Sequence, residues 1–348
     1  RENIDRLVPA HRGRIEVLNL DSWLSRFFKA RFPRWNIVFP SDRSEAWGLA
    51  LAHRSPELDF DEAFYRDEWE QVVLAQGVTS ESEYLRARRV GRGTTLSAAQ
   101  RKLVWPVFGQ YRSLLESRHQ IESEDAMRMA AQALEHEAGD QTYASVIVDE
   151  SQDLGFQAFR LIRALAGPEH PNDILLVGDP HQRIYGRQAR LSACGIRITG
   201  RGRKLRVNYR TTEETRKVAV SLLKGEEFDD LDSGKDDLRG DHSLMHGPDP
   251  DRIEVADFGD AMKAIGEWLS HWDDPRACVV ARTIEYRDQV AARLKQMGLN
   301  PRVLDRTEDG SGSHHGVNVA TMHRVKGLEF DQVVIAGLKP GACPLPAP

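Results

Sequence analysis

The chain has 348 residues, of which 40% are hydrophobic and 29% are charged, a balance typical of globular proteins with buried cores and, at this length, of two or three domains. No run of about 18 apolar residues occurs, which argues against a membrane span, and the charged first residues lack the apolar stretch of a signal peptide. The net charge of −5 excludes only an overall attraction to nucleic acid, because a groove can be basic on an acidic protein. Three widely separated cysteines fit neither a disulfide framework nor a zinc site, and they predict a reducing, cytoplasmic location.

Hydrophobic periodicity predicts strands and helices in alternation at both ends of the chain, with a helical block between them. Arg14–Leu20 alternates apolar and polar residues as a strand does, and Asp21 is placed to cap the helix that follows. From about Phe32 to Asp125, apolar residues recur at the three-to-four spacing of helices. The sequence therefore predicts an α/β fold with parallel sheets and an all-helical insertion.

The first candidate site follows a predicted strand. Tyr143–Val148 is almost entirely apolar, which predicts a strand buried on both faces, and Asp149 and Glu150 come directly after it. One carboxylate can hold a magnesium ion while its neighbour polarises an attacking water. The structural alternative is an acid-rich helix start, favoured by the helix dipole. Gln152 and Asp153 add polar groups to the same turn and favour a site.

A second polar turn follows the apolar segment Asp173–Val177. Gln182 in this turn is suited to sense a γ-phosphate by hydrogen bonding, and Tyr185 offers a ring on which a base can stack. A capped turn with Tyr185 in the core is an equally good interpretation of these residues alone.

The third segment places Tyr209 and Arg210 after a predicted strand, Arg203–Val207. An arginine fork binds phosphate through two parallel hydrogen bonds, and a neighbouring ring suits an adenine face. Without further context, an ordinary surface arginine is the simpler interpretation.

The fourth segment is the predicted strand Val317–Ala320, which leads into a polar stretch. Thr321 and His323 offer hydrogen bonds to a backbone phosphate, and Glu329, beyond Gly327, can accept a hydrogen bond from a ribose hydroxyl. A histidine in the place of His323 would, taken alone, more often be structural.

These four segments, in this order, resemble motifs II, III, IV and V of the UvrD/Rep-type superfamily 1 DNA helicases. Arg14–Phe28 resembles motif Ib, and Glu83–Trp105 resembles a helical subdomain inserted in the first motor domain of many bacterial members. The resemblance implies two RecA-like domains, both incomplete in this chain. Their predicted bounds are 1–31 with 126–195 for the first domain, 32–125 for the helical insertion, and 196–348 for the second domain.

The resemblance also implies ATP and Mg²⁺ as cofactors and assigns roles to two sets of residues. The nucleotide set comprises Asp149 (holding Mg²⁺), Glu150 (activating water), Gln182 and Arg210 (at the γ-phosphate), Tyr209 (on adenine), and Gly327 and Glu329 (binding the nucleotide, with Glu329 at the ribose). The set predicted to contact single-stranded DNA, or a junction of single and double strands, comprises Trp23, Tyr185, Thr321 and His323.

The chain also departs from the family pattern. It contains no G-x-x-x-x-G-K-[ST] loop, which would cradle the phosphates and would precede Arg1, and motif VI would follow Pro348. Asp21 stands where the family usually has histidine. We therefore expect an ATP-dependent single-stranded DNA translocase or 3′–5′ DNA helicase, of which this piece is inactive alone. The alternative is a non-enzymatic helicase-like subunit that binds DNA or a partner such as a nuclease or repair protein.

Two basic clusters are candidates for a phosphate track, and a solvated face is the equal alternative for each. Their members are Arg86, Arg88, Arg89 and Arg92 in the first, and Arg197, Arg201, Arg203, Lys204 and Arg206 in the second.

Overall fold

The computed structural model describes residues 6, 8–89, 92, 94–136, 143–183, 189–223, 228–229, 235–236, 240–271, 276–305 and 315–339. The chain divides into two compact units. The first comprises Arg1–Tyr209 and Val220–Ser243, and the second comprises Arg210–Ala219 and Leu244–Pro348. The finer division into motor domains and an insertion stays a prediction.

The first unit begins with a 3₁₀ turn, Pro9–Arg14, and helix α1, Leu20–Arg31. The side chain of Asn19 accepts a hydrogen bond from the backbone N–H of Asp21 at 2.8 Å, so Asn19, and not Asp21, caps the helix. The strand predicted over Arg14–Leu20 is wrong. No strand of the described residues pairs with this segment, and an alternating pattern forms a strand only where a partner completes the hydrogen bonds.

A helical block begins and ends at two neighbouring strands. β1 (Asn36–Val38) and β2 (Gln120–Glu122) form a parallel pair. Between them lie a 3₁₀ turn (Pro40–Arg43), α2 (Ser44–Leu51), α3 (Glu62–Glu68), a π-helical turn (Trp69–Leu74), α4 (Glu81–Arg86) and α5 (Ala98–Ser117). The predicted helical character of this block is confirmed.

Large aromatic side chains fill the core of this block. Trp47 stacks on Tyr111 with ring centroids 4.1 Å apart, and Trp69 meets the Tyr111 ring edge-on at 5.0 Å. Such pairs stabilise a core beyond the effect of their burial. The Trp69 Nε1–H also donates to the buried carboxylate of Glu122 at 2.7 Å, and Arg43 forms an ion pair with the same group. These contacts attach β2 to the helices.

A second buried carboxylate, Glu68 at the end of α3, organises the first basic cluster. Arg89 donates to it through Nε at 2.6 Å and a terminal nitrogen at 2.9 Å, and Arg92 donates at 3.1 Å. The hydroxyl of Tyr84 donates at 2.9 Å. Arg89 and Arg92 therefore belong to neither a phosphate track nor a solvated face, because both are committed to a fully buried partner.

The β/α pattern returns after this block with α6 (Ser123–His136), β3 (Val146–Val148), α7 (Phe156–Ala166) and β4 (Ile174–Leu176). β3 and β4 pair in parallel, and α7 covers one face of the pair through Phe159. On the other face Ile147 is 72% exposed and Leu175 is 56% exposed. The prediction of a strand buried on both faces over residues 143–148 is therefore wrong, because only one face has a covering helix in the described part of the chain.

Short strands lie where the chain crosses from one unit to the other. β5 (Val207–Thr212) pairs with β8 (His242–Met245), α8 spans Glu213–Leu222, and β6 (Phe228–Asp229) pairs antiparallel with β7 (Lys235–Asp236). The predicted strand over Arg203–Val207 is displaced toward its carboxyl end. Pairing with β8 starts at Arg206, whose carbonyl accepts from the N–H of His242. Tyr209 and Arg210 consequently lie within a strand and not after one.

The second unit is built on a parallel sheet with the strand order β10-β11-β9-β12. Its elements are α9 (Phe258–Ser270), β9 (Arg276–Ala281), α10 (Ile284–Gln296), β10 (Arg302–Val303), β11 (Gly316–Thr321) and β12 (Gln332–Ala336). α9 and α10 pack on the buried central strand β9 through Met262 and Val290. The predicted α/β class with parallel sheets is confirmed. None of the helices in the described ranges has the length and apolar character needed to cross a bilayer.

Cys194 and Cys278 are buried free thiols. Burial raises the pKa of each to about 12, so both stay protonated at neutral pH and are poor nucleophiles and metal ligands. Cys343 lies outside the described residues.

The Glu68 network predicts a large effect of a small substitution. We expect Glu68→Gln to lower the free energy of unfolding by about 3–5 kcal/mol, because it leaves the buried Arg89 without a countercharge and leaves Arg92 with only the exposed Asp67. Urea denaturation followed by tryptophan fluorescence measures the change.

The control is Glu62→Gln in the same helix. Glu62 pairs with Arg66 near the surface, where loss of an ion pair costs less than about 1 kcal/mol. Equal effects of the two substitutions would contradict the assignment.

Candidate functional site

The polar turns that follow β3 and β4 meet at the carboxyl ends of the two strands. The N–H of Val177 donates to the carbonyl of Val148 at 2.8 Å, and the N–H of Ser151 donates to the carbonyl of Val177 at 3.0 Å. These bonds extend the pairing beyond the strands. The first two predicted segments therefore share one edge of the sheet, where ligands of parallel sheets bind.

Asp149 and Glu150 form the acidic part of this edge, and both are exposed. Glu150 adopts the left-handed conformation, with φ 53° and ψ 36°, which is uncommon for a residue other than glycine. Its N–H donates to Oδ1 of Asp149 at 3.0 Å. Backbone strain of this kind persists where surrounding contacts impose it, and it is concentrated at functional sites.

Gln152 connects the two turns, although it is only 1% exposed. Its Nε2 donates to Oε2 of Glu150 at 2.5 Å, and its Oε1 accepts from the N–H of Asp179 at 3.1 Å. The sequence identified Gln152 only as an additional polar group. The sequence did contain a signal for this role. Gln152 stands two residues after the paired acids, and parallel pairing of the two predicted strands would place its turn beside the turn that contains Gly178.

The turn after β4 is organised around Asp179. Its Oδ1 accepts from the N–H of His181 at 3.0 Å, and its Oδ2 accepts from Nε2 of Gln182 at 3.0 Å. Gln182 is thereby held, exposed, on the same edge as the paired acids. Tyr185, the predicted stacking residue of this segment, lies outside the described residues.

Three predicted nucleotide contacts lie together in the second unit. Arg210 forms an ion pair with Glu329 at 2.8 Å, and both side chains are largely exposed. Gly327 takes a positive φ of 77°, which suits glycine, and this turn leads the chain to Glu329. Tyr209, the last residue of the first unit before Arg210, is 77% exposed.

The two predicted phosphate contacts of the second unit follow β11. The carbonyl of Thr321 accepts from the N–H groups of Arg324 and Val325, which closes a tight turn at the end of the strand. His323 is exposed on this turn. Both side chains are therefore placed at the carboxyl edge of the second sheet.

Trp23 lies in the core of the first unit, with 8% of its surface exposed. It stacks on Phe27 at 5.0 Å, and its Nε1–H donates to the hydroxyl of Tyr143 at 3.1 Å. That hydroxyl donates in turn to Glu16; this bond is the main cause of the lowered pKa of Glu16, while burial raises the pKa of Tyr143. This geometry gives the predicted DNA contact of Trp23 no support, because the ring is buried and its N–H has an acceptor.

Gly178 allows the two turns of the first unit to approach each other. A Cβ atom at this position would lie 2.4 Å from Oε1 of Gln152 and 2.7 Å from Oγ of Ser151, closer than atoms can pack. Since both neighbours are buried, they have little room to yield.

We therefore expect Gly178→Ala to lower the free energy of unfolding by about 1–3 kcal/mol through overpacking. Gly48 provides the control, because nothing lies within 4 Å of a Cβ added there in helix α2. Gly48→Ala should be neutral or stabilise by up to about 1 kcal/mol. Thermal denaturation of both variants measures the contrast, and a stable Gly178→Ala variant would show that the turns are not tightly packed.

Comparison with known proteins identifies the family. The model of the UvrD/REP helicase N-terminal domain matches residues 62–194, and that of the UvrD-like helicase C-terminal domain matches residues 283–346. A protein of Mycoplasma pneumoniae described as a probable DNA helicase is 26% identical over 200 residues. That alignment covers 57% of this chain and 36% of the relative, so the chain matches little more than a third of the relative's length.

The two family models together match more than half of the chain. The first includes both turns that meet through Gln152, and the second includes the turn that carries Gly327 and Glu329. With its parallel sheets and the polar residues at their carboxyl ends, the chain belongs to the UvrD/REP helicase family.

Proposed function

We propose that this chain is part of an ATP-dependent motor that moves along single-stranded DNA and unwinds duplex DNA in the 3′–5′ direction. The observation that carries the proposal is the strained acidic turn Asp149–Glu150, joined through Gln152 to the turn that holds Gln182. Membership of a helicase family and similarity to a probable DNA helicase support it.

The residues of the acidic turn fit a magnesium ion. Mg²⁺ keeps several waters and takes one or two carboxylates together with substrate phosphates. It therefore needs no protein cluster of three or more ligands, and the described residues contain none. Asp149, exposed at the end of β3, would hold the ion. When bound, Mg²⁺ would neutralise charge that develops on the phosphates.

Glu150 is the general base in this proposal. A carboxylate that accepts a proton from the attacking water must be exposed to that water and fixed in direction. Glu150 meets both conditions, because it is exposed and one of its oxygens accepts from Gln152. Gln182, whose carboxamide is held by Asp179, would detect the γ-phosphate.

The second unit, together with Tyr209 of the first, would supply the remaining nucleotide contacts. Arg210 would bind the γ-phosphate through its fork, Tyr209 would stack on adenine, and Glu329, on the turn set by Gly327, would bind the ribose. In the structure Arg210 pairs with Glu329. An exposed ion pair contributes less than about 1 kcal/mol, so a phosphate can compete for Arg210.

Single-stranded DNA would be held by its phosphates at Thr321 and His323 and by stacking of a base on Tyr185. The exposed position of His323 at the end of the second sheet supports the first contact. We place this motor in the cytoplasm, with a partner nuclease or repair protein as a further expectation.

Substitution of the proposed base tests the function. In the full-length protein, Glu150→Gln should lower kcat of the single-stranded-DNA-stimulated ATPase by about 10²–10⁴-fold, since the amide cannot accept the proton. A phosphate-release assay with and without DNA measures this. The exposed Glu57, remote in sequence from both turns, gives the control Glu57→Gln, which should retain activity. Normal hydrolysis by Glu150→Gln would show that Glu150 is not the base. A lack of DNA-stimulated hydrolysis by the unsubstituted full-length protein would favour a non-enzymatic DNA-binding subunit.

The absence of a G-x-x-x-x-G-K-[ST] loop from the sequence leads to a second expectation. The isolated 348-residue chain should show no ATPase above background, because no loop of this type is available to hold the β- and γ-phosphates. Magnesium-dependent, DNA-stimulated hydrolysis by the isolated chain would contradict this part of the proposal. The same phosphate-release assay, with Glu150→Gln as a check for contaminating enzymes, decides it.

A further inference from the structure

We propose that Gln152 is a positioning residue of the ATPase site. Its carboxamide holds the Glu150 carboxylate in the orientation needed for catalysis and links that orientation to the Asp179–Gln182 turn. This inference rests on the proposed function, because the direction of Glu150 matters to the rate only if Glu150 is the base.

The hydrogen bonds of Gln152 fix its carboxamide in one orientation. An ionised carboxylate can only accept and a backbone N–H can only donate. The amide nitrogen must therefore face Glu150, at 2.5 Å, and the amide oxygen must face the N–H of Asp179, at 3.1 Å. The reverse orientation would set oxygen against oxygen and N–H against N–H. Gln152 is thus bonded specifically to one group from each turn.

Packing also prevents the side chain from leaving this place. Gln152 and Ser151 are each 1% exposed, and Gly178 is so close that even a methyl group there would overlap both. A buried carboxamide that swings away from its partners leaves them without hydrogen bonds, which is unfavourable. The bond to Glu150 is therefore a fixed feature of the turn.

The link has a consequence for coupling between the two turns. Asp179 donates to Gln152 through its backbone and accepts from Gln182 through its side chain. A displacement of Gln182 would shift Asp179, then the amide oxygen of Gln152, and finally the carboxylate of Glu150. The chain of contacts gives the turn that reads the phosphate a direct route to the base.

Two substitutions in the full-length protein test this role. Gln152→Met keeps the length of the side chain but removes both hydrogen bonds, and Gln152→Glu keeps its shape but cannot donate to Glu150. Each should lower kcat of the DNA-stimulated ATPase by about 10–100-fold, the effect of a small misplacement of a reacting group. KM for ATP and Kd for single-stranded DNA should stay within about threefold, because a side chain that is only 1% exposed offers neither ligand a contact surface.

Gln157→Met is the matched control. Gln157 is 2% exposed on α7, so its side chain is nearly as buried as that of Gln152 but lies outside the two turns. Gln157→Met should therefore retain a normal kcat. Binding of a non-hydrolysable ATP analogue separates positioning from a loss of folded protein. Its stoichiometry per chain should be unchanged in both Gln152 variants; a fall in stoichiometry that matches the fall in kcat would overturn the positioning role.

Comparison with Glu150→Gln separates the two proposals. If Glu150→Gln abolishes hydrolysis while either folded Gln152 variant keeps a normal kcat, the positioning role is wrong and the proposed function stands. If Glu150→Gln also keeps a normal kcat, the assignment of Glu150 as the base is wrong, and the positioning role of Gln152 is wrong with it. Should Gln152→Met fail to fold, the nearly isosteric Gln152→Glu still decides, because it keeps the size of the side chain and an acceptor for the N–H of Asp179.

Discussion

The parallel pairing of β3 with β4 is the constraint on which the candidate site depends. Each strand is only three residues long, but backbone hydrogen bonds of Ser151 and Val177 continue the pairing beyond the carboxyl ends of both strands. This extension brings the acidic turn against the glycine turn closely enough for one buried carboxamide to bond to both. The strain at Glu150 is maintained in this setting, because contacts on either side of the residue define its place.

The sequence indicated the place of these polar residues in the fold better than the contacts between them. Acids directly after an apolar segment indicate the mouth of a parallel sheet, and helical spacing between Phe32 and Asp125 indicated the long helix α5. The pattern could not show that Ile147 lies on an uncovered face, because an apolar strand has the same appearance whether one or both faces are covered. The strand expected over Arg14–Leu20 failed for a related reason, since pairing depends on a partner that a local pattern does not contain.

The burial of charged side chains was equally difficult to predict from the sequence. Arg89 and Arg92 belong to a cluster that from sequence suggested a surface, but their partner, Glu68, lies more than 20 positions earlier in the chain. The linking position of Gln152 was not predicted, because its bond to Asp179 depends on the close approach of the next turn at Gly178. In both cases the decisive contact joins residues that are distant in sequence, and composition alone does not show which polar groups become buried. The ion pair of Arg210 with Glu329 likewise joins residues that are distant in sequence.

The adjacency of β1 and β2 has a consequence for the way the helical block joins the fold. The helical block begins after Val38 and ends before Gln120, and neighbouring strands lie only about 5 Å apart. The gap between these two points is therefore short enough for a few residues to bridge. The block thus has the geometry of an insertion, because both of its ends meet at one pair of strands. The sheet edge that carries the acids is formed by β3 and β4, which lie outside the block.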